Sequence, residues 1–402
     1  QWTNNNGWLT SLPECQGWFG VTCTDDGIFV NVIQLPNNKL AGDIPPEISQ
    51  FPELVAFQVL DNAVEGTLPT EIGVLTKLLA LDLENNSMQG ELFIDELFET
   101  DLRLLSASNN IFTGSIPGDK LPKLSNLRQL WIAENVLFGS IPDEIGDLAK
   151  LNSLLAFRNT LSGNMPTTIG HLLELKTFDI AENRLSGRIP EEIYSLTTLE
   201  RFIISDNDFE GTISQSVGNL VNLTDFWLDS NIMEGTIPNE ITNLVLLENL
   251  LLQKNDFTGV IPESVGGMTK LEFADLSENS LNGMIPIDFF SIPNLKILYL
   301  SNNTLTGNIP DQISNAPSLR DLYLDGNALD GAIPDIPIDT LQTLEEFLIN
   351  HNGITGTMPA SICILRNDTI NPGNLISLWA DCGIPPDPPQ LDCVCCTKCF
   401  SG

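Results

Sequence analysis

The chain has 402 residues and carries 18 lysines and arginines against 53 acidic residues, for a formal net charge of -35. Nucleic acid and anionic membranes both require a basic protein face, so we expect neither as a partner. No apolar run approaches the ~18 residues of a membrane span, so we expect no membrane insertion within this chain. The histidines, His171 and His351, are far apart in the sequence, and no glycine-rich phosphate loop is present. We therefore predict no enzyme and no cofactor.

The first predicted element is a small N-terminal cap over residues 1–29. Cys15 and Cys23 flank a short stretch that contains Trp18 and Val21. Paired cysteines in a short terminal segment are typical of disulfides in secreted proteins. We therefore predict a disulfide between Cys15 and Cys23.

Residues 30–360 repeat with a period of about 24 residues. Most repeats carry glycine, any residue, an apolar residue and proline, from Gly42-Asp-Ile-Pro45 to Gly356-Thr-Met-Pro359, and an asparagine such as Asn183 stands four residues before the glycine. Upstream of the asparagine the apolar residues alternate, as in Leu298-Tyr-Leu300, which predicts a short strand with the leucines in the core. This pattern is a leucine-rich repeat, in which each coil buries its apolar face only by stacking on its neighbours.

We predict an α/β solenoid of about 14 coils, with disulfide caps at both ends. The repeating asparagine is predicted to be structural, because its amide can satisfy backbone groups of neighbouring coils that water cannot reach. Proline is missing from the third coil, Gly90 to Phe93, and from the eighth, Gly211 to Ser214. We expect both coils to deviate locally.

Residues 361–402 form the predicted C-terminal cap, which is rich in cysteine. It contains Cys363, Cys382, Cys393, Cys395, Cys396 and Cys399, whereas the repeats themselves contain no cysteine. We predict that all of them form disulfides, with the pairing left open. A zinc site within Cys393–Cys399 is the alternative, but the even cysteine count at both ends favours disulfides and no metal.

Four Asn-x-Ser/Thr sequons support passage through the secretory route, since this is the acceptor sequence for N-glycosylation. They begin at Asn85, Asn222, Asn302 and Asn367. Together with the cysteines they predict an extracellular or cell-surface glycoprotein.

The outward-facing residue of each predicted strand suggests a binding surface on the inner, concave face. Its first members are polar (Gln34, Gln58, Asp82 and Ser106), but most later ones are apolar or aromatic. Exposed clustered apolar groups usually mark a contact surface, and tryptophan and tyrosine dominate interface hot spots. With two flanking phenylalanines, the predicted site comprises Trp131, Leu155, Phe157, Ile203, Trp227, Leu251, Phe273, Tyr299, Tyr323 and Trp379. The alternative is that these side chains pack on one another along the ladder.

The repeat consensus L-x-x-L-x-x-L-x-L-x-x-N-x-L-x-G-x-I-P resembles the plant-type leucine-rich repeats of receptor-kinase ectodomains and polygalacturonase-inhibiting proteins. The N-terminal block from Trp8 to Cys23 is similar to the cap of that family. The resemblance implies a right-handed superhelix at the cell surface that binds peptides, hormones, co-receptors or foreign enzymes. The C-terminal Ala380-Asp-Cys382 and the Cys393–Cys399 cluster resemble instead the caps of leucine-rich repeat proteins from diatoms.

The leading functional hypothesis is a recognition module, either a receptor ectodomain or a secreted protein, that binds a peptide or protein ligand on the concave face. A co-receptor is a further expected partner. Aspartates such as Asp275 and Asp321 lie among the aromatic residues, so the favoured ligand has apolar anchors with basic groups between them. The alternatives are an inhibitor of a foreign secreted hydrolase and a structural protein associated with the cell wall or with ice. Ice binding is disfavoured by irregular charge in the column that contains Asp61, Arg158 and Lys254.

Overall fold

The computed structural model describes residues 2–6, 8, 14–15, 17–337, 340–366, 374–382 and 391–400. The chain forms two compact units, Gln1–Leu199 and Glu200–Gly402. In each unit, short parallel strands alternate with short 3-10 helices, and every coil stacks on the next in the same register. Each unit is a leucine-rich repeat solenoid, as the period of the sequence predicts.

The first unit contains two kinds of strand, one on either side of the repeating asparagine. Its strands are β1 (Val21–Cys23), β2 (Val30–Gln34), β3 (Ala41–Asp43), β4 (Ala56–Gln58), β5 (Ala63–Gly66), β6 (Ala80–Asp82), β7 (Ser87–Glu91), β8 (Leu104–Ser106), β9 (Ile111–Thr113), β10 (Gln129–Trp131), β11 (Phe138–Gly139), β12 (Ser153–Leu155), β13 (Thr160–Asn164), β14 (Thr177–Asp179) and β15 (Arg184–Arg188). Its 3-10 helices are η1 (Pro46–Gln50), η2 (Thr70–Val74), η3 (Asp95–Glu99), η4 (Leu121–Leu124), η5 (Asp143–Asp147), η6 (Thr167–His171) and η7 (Glu191–Ser195).

The second unit repeats this plan. Its strands are β16 (Arg201–Ile203), β17 (Asp208–Gly211), β18 (Asp225–Trp227), β19 (Ile232–Thr236), β20 (Asn249–Leu251), β21 (Asp256–Val260), β22 (Phe273–Asp275), β23 (Ser280–Gly283), β24 (Ile297–Tyr299), β25 (Thr304–Gly307), β26 (Asp321–Tyr323), β27 (Ala328–Leu329), β28 (Glu346–Leu348), β29 (Gly356–Thr357), β30 (Ser377–Asp381), β31 (Leu391–Asp392) and β32 (Lys398–Phe400). Its helices are η8 (Gln215–Asn219), η9 (Asn239–Asn243), η10 (Glu263–Gly267), η11 (Ile287–Ser291), η12 (Asp311–Asn315) and α1 (Ala360–Ile364). Within the described ranges, no helix is both long and apolar enough to cross a bilayer.

In each unit the strands that precede the asparagine form the main sheet. In the first unit β2, β4, β6, β8, β10, β12 and β14 pair in parallel, and β1 joins β2 in antiparallel fashion. In the second unit every even-numbered strand from β16 to β32 pairs in parallel with the next. The middle residue of each triplet faces the core, as Leu130 and Leu298 do without solvent exposure. The apolar alternation of the sequence thus becomes a continuous core in each unit.

The strands that follow the asparagine form a second ladder in each unit. In the second unit, β17, β19, β21, β23, β25 and β27 pair in parallel. The 3-10 helices follow this ladder, and most of them begin directly after the proline of the repeat. Proline suits that position because its fixed φ matches the extended conformation found there, for example φ -70° and ψ 145° at Pro238.

The repeating asparagine joins adjacent coils, as the sequence predicts. The Asn183 side-chain amide donates to the carbonyl oxygens of Ala156, Ile180 and Ala181 at 3.0 Å, and its oxygen accepts a bond of the same length from the Leu161 N–H. Asn231 makes the equivalent set in the second unit, including the N–H of Phe209 at 2.9 Å. These backbone groups lie between stacked coils, so the amide replaces the water that cannot enter.

The residue before this asparagine has a left-handed backbone in almost every coil. Examples are Asp61 with φ 56°, Lys254 with φ 55° and Asn302 with φ 54°, and in one coil the position is occupied by Gly326 with φ 67°. Glycine, asparagine and aspartate tolerate this conformation better than residues with longer side chains. The repeat therefore imposes the same backbone on residues of very different propensity.

Two expectations about the coils need correction. The parallel main-sheet strands of the described residues number seven in the first unit and nine in the second, which makes 16 coils rather than 14. The additional coils contain β30 and β32, which lack the Gly-x-Ile-Pro motif and lie within residues 361–402. The eighth coil does not deviate, because Ser214 takes φ -68° and ψ 148° and accepts a hydrogen bond from the Ser216 N–H at 3.1 Å. In the third coil, by contrast, η3 begins after Ile94, one residue later than the repeat predicts.

Disulfides lie in the N-terminal part of the first unit and in the C-terminal part of the second, as predicted. Cys15 pairs with Cys23 in the first unit. In the second, the pairs are Cys363–Cys395, Cys382–Cys399 and Cys393–Cys396. The Cys382–Cys399 bond connects the end of β30 to β32, so it fastens the last coil to the ladder.

Candidate functional site

The candidate site lies on the open face of the main sheet, which we define as the outward-facing side chains of the main-sheet strands. In β24, Leu298 faces the core while Ile297 and Tyr299 face away from it and are half-buried. Adjacent parallel strands are separated by about 4.8 Å, so open-face side chains of successive coils contact one another. Both packing along the ladder and ligand contact are therefore possible on this face.

In the first unit the open face changes from polar to aromatic along the ladder. Gln34 is exposed and Gln58 is half-buried, but Asp82 and Ser106 are buried, against the expectation that the whole column faces solvent. Burial raises the pKa of Asp82 above its ordinary value. The Ser106 hydroxyl donates to Glu84 of the preceding coil at 3.2 Å, a contact between coils that the pattern of a single strand does not reveal.

The predicted residues Trp131, Leu155 and Phe157 are brought together at the other end of the first unit. Trp131 and Leu155 are register partners on β10 and β12, and all three side chains are half-buried. The Trp131 indole N–H donates to the Ser153 hydroxyl at 2.9 Å. This contact fixes the indole against the neighbouring coil.

In the second unit Trp227 lies between Ile203 and Leu251 in register. Ile203 is only 1% exposed, so it is not available for contact, contrary to its predicted role. Trp227 and Leu251 are half-buried, and the Trp227 indole N–H has no hydrogen-bond partner among the described residues. Close packing along the ladder removes Ile203 from the surface and keeps part of the Trp227 ring on it.

Phe273, Tyr299 and Tyr323 form the most extensive aromatic contact of the open face. The rings of Tyr299 and Tyr323 stack at 4.1 Å between centroids, and Phe273 packs edge-on against Tyr299 at 5.7 Å. The Tyr323 hydroxyl donates to Glu346 in the next coil. The three aromatic residues therefore make a continuous half-buried strip that ends at a carboxylate.

Carboxylates line this aromatic strip on its own strands. Asp275 and Asp321 are 8% and 5% exposed. Asp321 accepts two bonds from the Arg320 guanidinium, at 2.7 and 3.0 Å, and Asp275 accepts bonds from the hydroxyl and N–H of Ser277 at 2.6 and 3.0 Å. Burial raises the pKa of Asp275 despite the opposing hydrogen bonds, and it also raises the pKa of Tyr299. The strip is a surface of stacked rings with acidic groups at its side.

Trp379 stands at the C-terminal end of the open face, beside two residues that the sequence interpretation missed. The Lys398 ammonium lies 4.5 Å from the Trp379 ring centroid, and the Phe400 ring lies 5.7 Å from it. Lys398 and Phe400 belong to β32, which carries no repeat motif. Their alternation around Cys399 is the one sequence signal that could have indicated this strand.

The remaining predicted site residues fall at various depths. Asn222 and Asn302 are exposed, Asn85 is half-buried, and Asn367 lies outside the described residues.

The Sγ atoms of Cys382, Cys393 and Cys396 lie within 4.8 Å of one another. Each belongs to a disulfide, so none is available as a thiolate ligand in this arrangement. The two histidines fall in different units, with His351 hydrogen-bonded to Asn350.

Comparisons with known proteins agree with this architecture. Leucine-rich repeat models match residues 174–196, 245–305 and 275–329. A structure of a leucine-rich repeat protein from Leptospira interrogans is 32% identical, covers 71% of this chain and 70% of its own, and has a TM-score of 0.61. The chain therefore belongs to the leucine-rich repeat proteins.

Within this family the chain resembles the ectodomains of plant receptor kinases. The peptide hormone receptor RGFR1 in complex with RGF2 is 28% identical with a TM-score of 0.70, over 94% of this chain and 72% of the receptor chain. The Arabidopsis receptor kinase HAESA, in complex with the peptide hormone IDA and the co-receptor SERK1, is 30% identical with a TM-score of 0.71, over 87% of this chain and 61% of that chain.

The chain corresponds to only part of such receptors. An inactive leucine-rich repeat receptor-like serine/threonine-protein kinase of Arabidopsis thaliana is 50% identical over 48 residues, which are 12% of this chain and 8% of the kinase. The matches lend no support to the diatom resemblance of the C-terminal cap.

Proposed function

We propose that this chain is an extracellular recognition module that binds a peptide through the open face of the second unit. The observation that carries the proposal is the strip of Phe273, Tyr299 and Tyr323 beside Asp275, Asp321 and Glu346. Aromatic faces attract cations as well as apolar groups. Carboxylates in partly buried, low-dielectric surroundings strengthen the attraction for a cation. The ligand that fits is a peptide with apolar anchors and lysine or arginine between them.

The similarity to two plant peptide-hormone receptors supports this class of ligand, because the chain shares most of its length with their folds. The disulfides and the exposed sequons at Asn222 and Asn302 support an extracellular glycoprotein. A co-receptor is the second partner that this proposal includes, as in the complex of HAESA with SERK1. Inhibition of a foreign secreted hydrolase remains the alternative function.

The experiment uses a display library of short random peptides. The library is first depleted on the double variant Tyr299→Gln/Tyr323→Gln, which places in the strip the residue that Gln58 provides at the same strand position. It is then selected on the parent protein. We expect the enriched peptides to be basic and to carry aromatic or aliphatic anchors.

Calorimetry then locates the contact. Trp227→Ala should reduce the affinity of these peptides by about 2 kcal/mol, or roughly 30-fold, if the indole is an anchor. Gln58→Ala, in the first unit, is the matched control and should leave the affinity unchanged. If no peptide distinguishes the parent from the double variant, the aromatic strip is only ladder packing and the proposal is wrong.

A further inference from the structure

Three large apolar side chains are exposed at the end of the second ladder of the second unit, where neighbouring coils have polar ones: Val260 ends β21, Met284 directly follows β23, and Ile287 begins η11. Val260, Met284 and Ile287 are 58%, 70% and 52% exposed. At the position of Val260 and Met284, directly after the repeat glycine, the flanking coils have Thr236 and Asn308. At the position of Ile287 they have Glu263 and Asp311. The repeat itself therefore gives no structural reason for apolar residues here.

The three side chains line one groove. Its volume is about 580 Å³, and its walls include Val260, Met284, Pro286 and Ile287. A Cβ built on Gly283 would come within 2.8 Å of the Val260 Cγ1 atom, so the valine lies directly over the glycine that precedes Met284. In the same way Met284 lies over Gly307, where the corresponding distance is 3.2 Å. The apolar groups are thus contiguous across successive coils.

The second-ladder segments around the groove are acidic and contain no basic residue. Glu263 and Asp288 line the groove, Glu234 and Asp256 lie on β19 and β21, and Asp311 begins η12. Residues 231–240, 255–263, 279–288 and 303–311, which form these coils of the second ladder, include no lysine, arginine or histidine. A second copy of this acidic chain would therefore be repelled.

We propose that this groove is a docking site for a second protein, whose apolar side chain enters between Val260, Met284 and Ile287 and whose flanking lysines or arginines face the acidic rim. Contiguous exposed apolar surface rimmed by charge is the usual form of an interaction site. The complementary charge raises the rate of association and excludes acidic partners. The site lies at the end of the second ladder and the start of η11, not on the open face, so it does not depend on the peptide-binding proposal.

The test compares the parent with the triple variant Val260→Thr/Met284→Asn/Ile287→Asp. Each substitution introduces the residue that an adjacent coil has at the same position, so the backbone is compatible with it. A library of short random peptides is depleted on the triple variant and then selected on the parent. Enriched peptides should combine a large apolar residue with lysine or arginine, and their affinity should fall as salt is added.

Single variants measured by calorimetry complete the test. Met284→Asn and Ile287→Asp should each weaken the selected peptides by about tenfold or more. Phe138→Ser removes an exposed apolar residue from the second ladder of the first unit, where the next coil has Ser162, and should leave the affinity unchanged. Equal unfolding midpoints confirm intact folds. The proposal is overturned if no peptide discriminates against the triple variant or if the discriminating peptides are acidic.

Discussion

The open face at the N-terminal end of the first unit and the open face of the second unit have nearly the same backbone but different chemistry. In the first unit Gln58 pairs in register with Asp82, whereas in the second Tyr299 pairs with Tyr323 through the same parallel geometry. The core residues of these strands, such as Leu81 in β6 and Leu298 in β24, are equally buried. The repeat therefore fixes the positions of open-face side chains without restricting their identity, and function resides in the few residues that vary.

The largest effect on stability is expected from replacing the repeating asparagine, which occupies equivalent positions in both units. Asn183→Ala in the first unit and Asn231→Ala in the second each leave one backbone N–H between coils, that of Leu161 or Phe209, without its acceptor. The carbonyls of Ala156 and Ile204 each lose one of two donors and keep the bond from Asn159 or Asn207. Each should reduce the free energy of unfolding by about 1–3 kcal/mol, measured by urea unfolding. The exposed Asn282→Ala is the control and should change little. A clear difference between the two variants would show that the asparagine ladder is not equivalent in the two units.

The pH dependence of stability sharpens the comparison, because both open faces bury carboxylates. Burial raises the pKa of Asp82 in the first unit and of Asp229 and Asp275 in the second above the ordinary value of 3.8. A carboxyl with a raised folded-state pKa binds its proton more tightly when folded. Its contribution to stability is complete below the ordinary pKa and is lost as pH rises through the folded-state pKa.

We therefore expect the unfolding temperature to rise as pH falls from about 7 toward about 4.5. Relief of repulsion within this acidic chain acts in the same direction, so substitutions are needed to separate the two causes. Asp275→Asn and Asp82→Asn should each reduce the slope of stability against pH, whereas the exposed Asp256→Asn should affect it less. Identical slopes for all three variants would indicate that general repulsion, not burial, controls the response.

The smallest expected effect concerns the left-handed position before the asparagine. Lys254 adopts φ 55° there, while Asn302 has φ 54° in a later coil. Lys254→Asn should stabilise the protein by about 0.5–1 kcal/mol, since asparagine tolerates this conformation better. The reverse change, Asn302→Lys, should cost a similar amount in urea unfolding. If Lys254→Asn destabilises instead, the side chain of Lys254 makes a contact that outweighs the backbone preference.

The periodic part of the fold could be predicted from the sequence because each coil repeats the same local solution. Alternating leucines, the asparagine and the glycine specify strand, turn and core, as Leu298 and Asn183 illustrate. The strand β30 was predicted only as a degenerate final strand that contains Trp379, and β32 escaped prediction, because both lack the motif and depend on pairing with earlier strands and on the Cys382–Cys399 disulfide. For the eighth coil the expectation was wrong in the other direction: a local deviation was predicted, but Ser214 replaces the missing proline before η8 without changing the backbone.

The residue types on the open face could be predicted from the sequence, but the burial of each side chain could not. The column that contains Trp227, Tyr299 and Tyr323 follows directly from the repeat register. Burial of Ile203 and Asp82 does not, because it depends on how large the side chains of adjacent coils are and how they pack. The pairing of the C-terminal cysteines escaped prediction for a similar reason. Several pairings satisfy the sequence, and only the three-dimensional path selects one.

The strand β32 has a consequence for the solution behaviour of the protein. It spans three residues and carries Lys398, whereas β30 behind it spans five. An edge strand offers unpaired N–H and C=O groups to other chains, and short or charged edges discourage such additions. Breaking the Cys382–Cys399 bond would release β32 and expose the longer edge of β30. We therefore expect the protein to stay monodisperse while the Cys382–Cys399 disulfide is intact and to aggregate more readily when it is reduced, which light scattering with and without a reductant would measure.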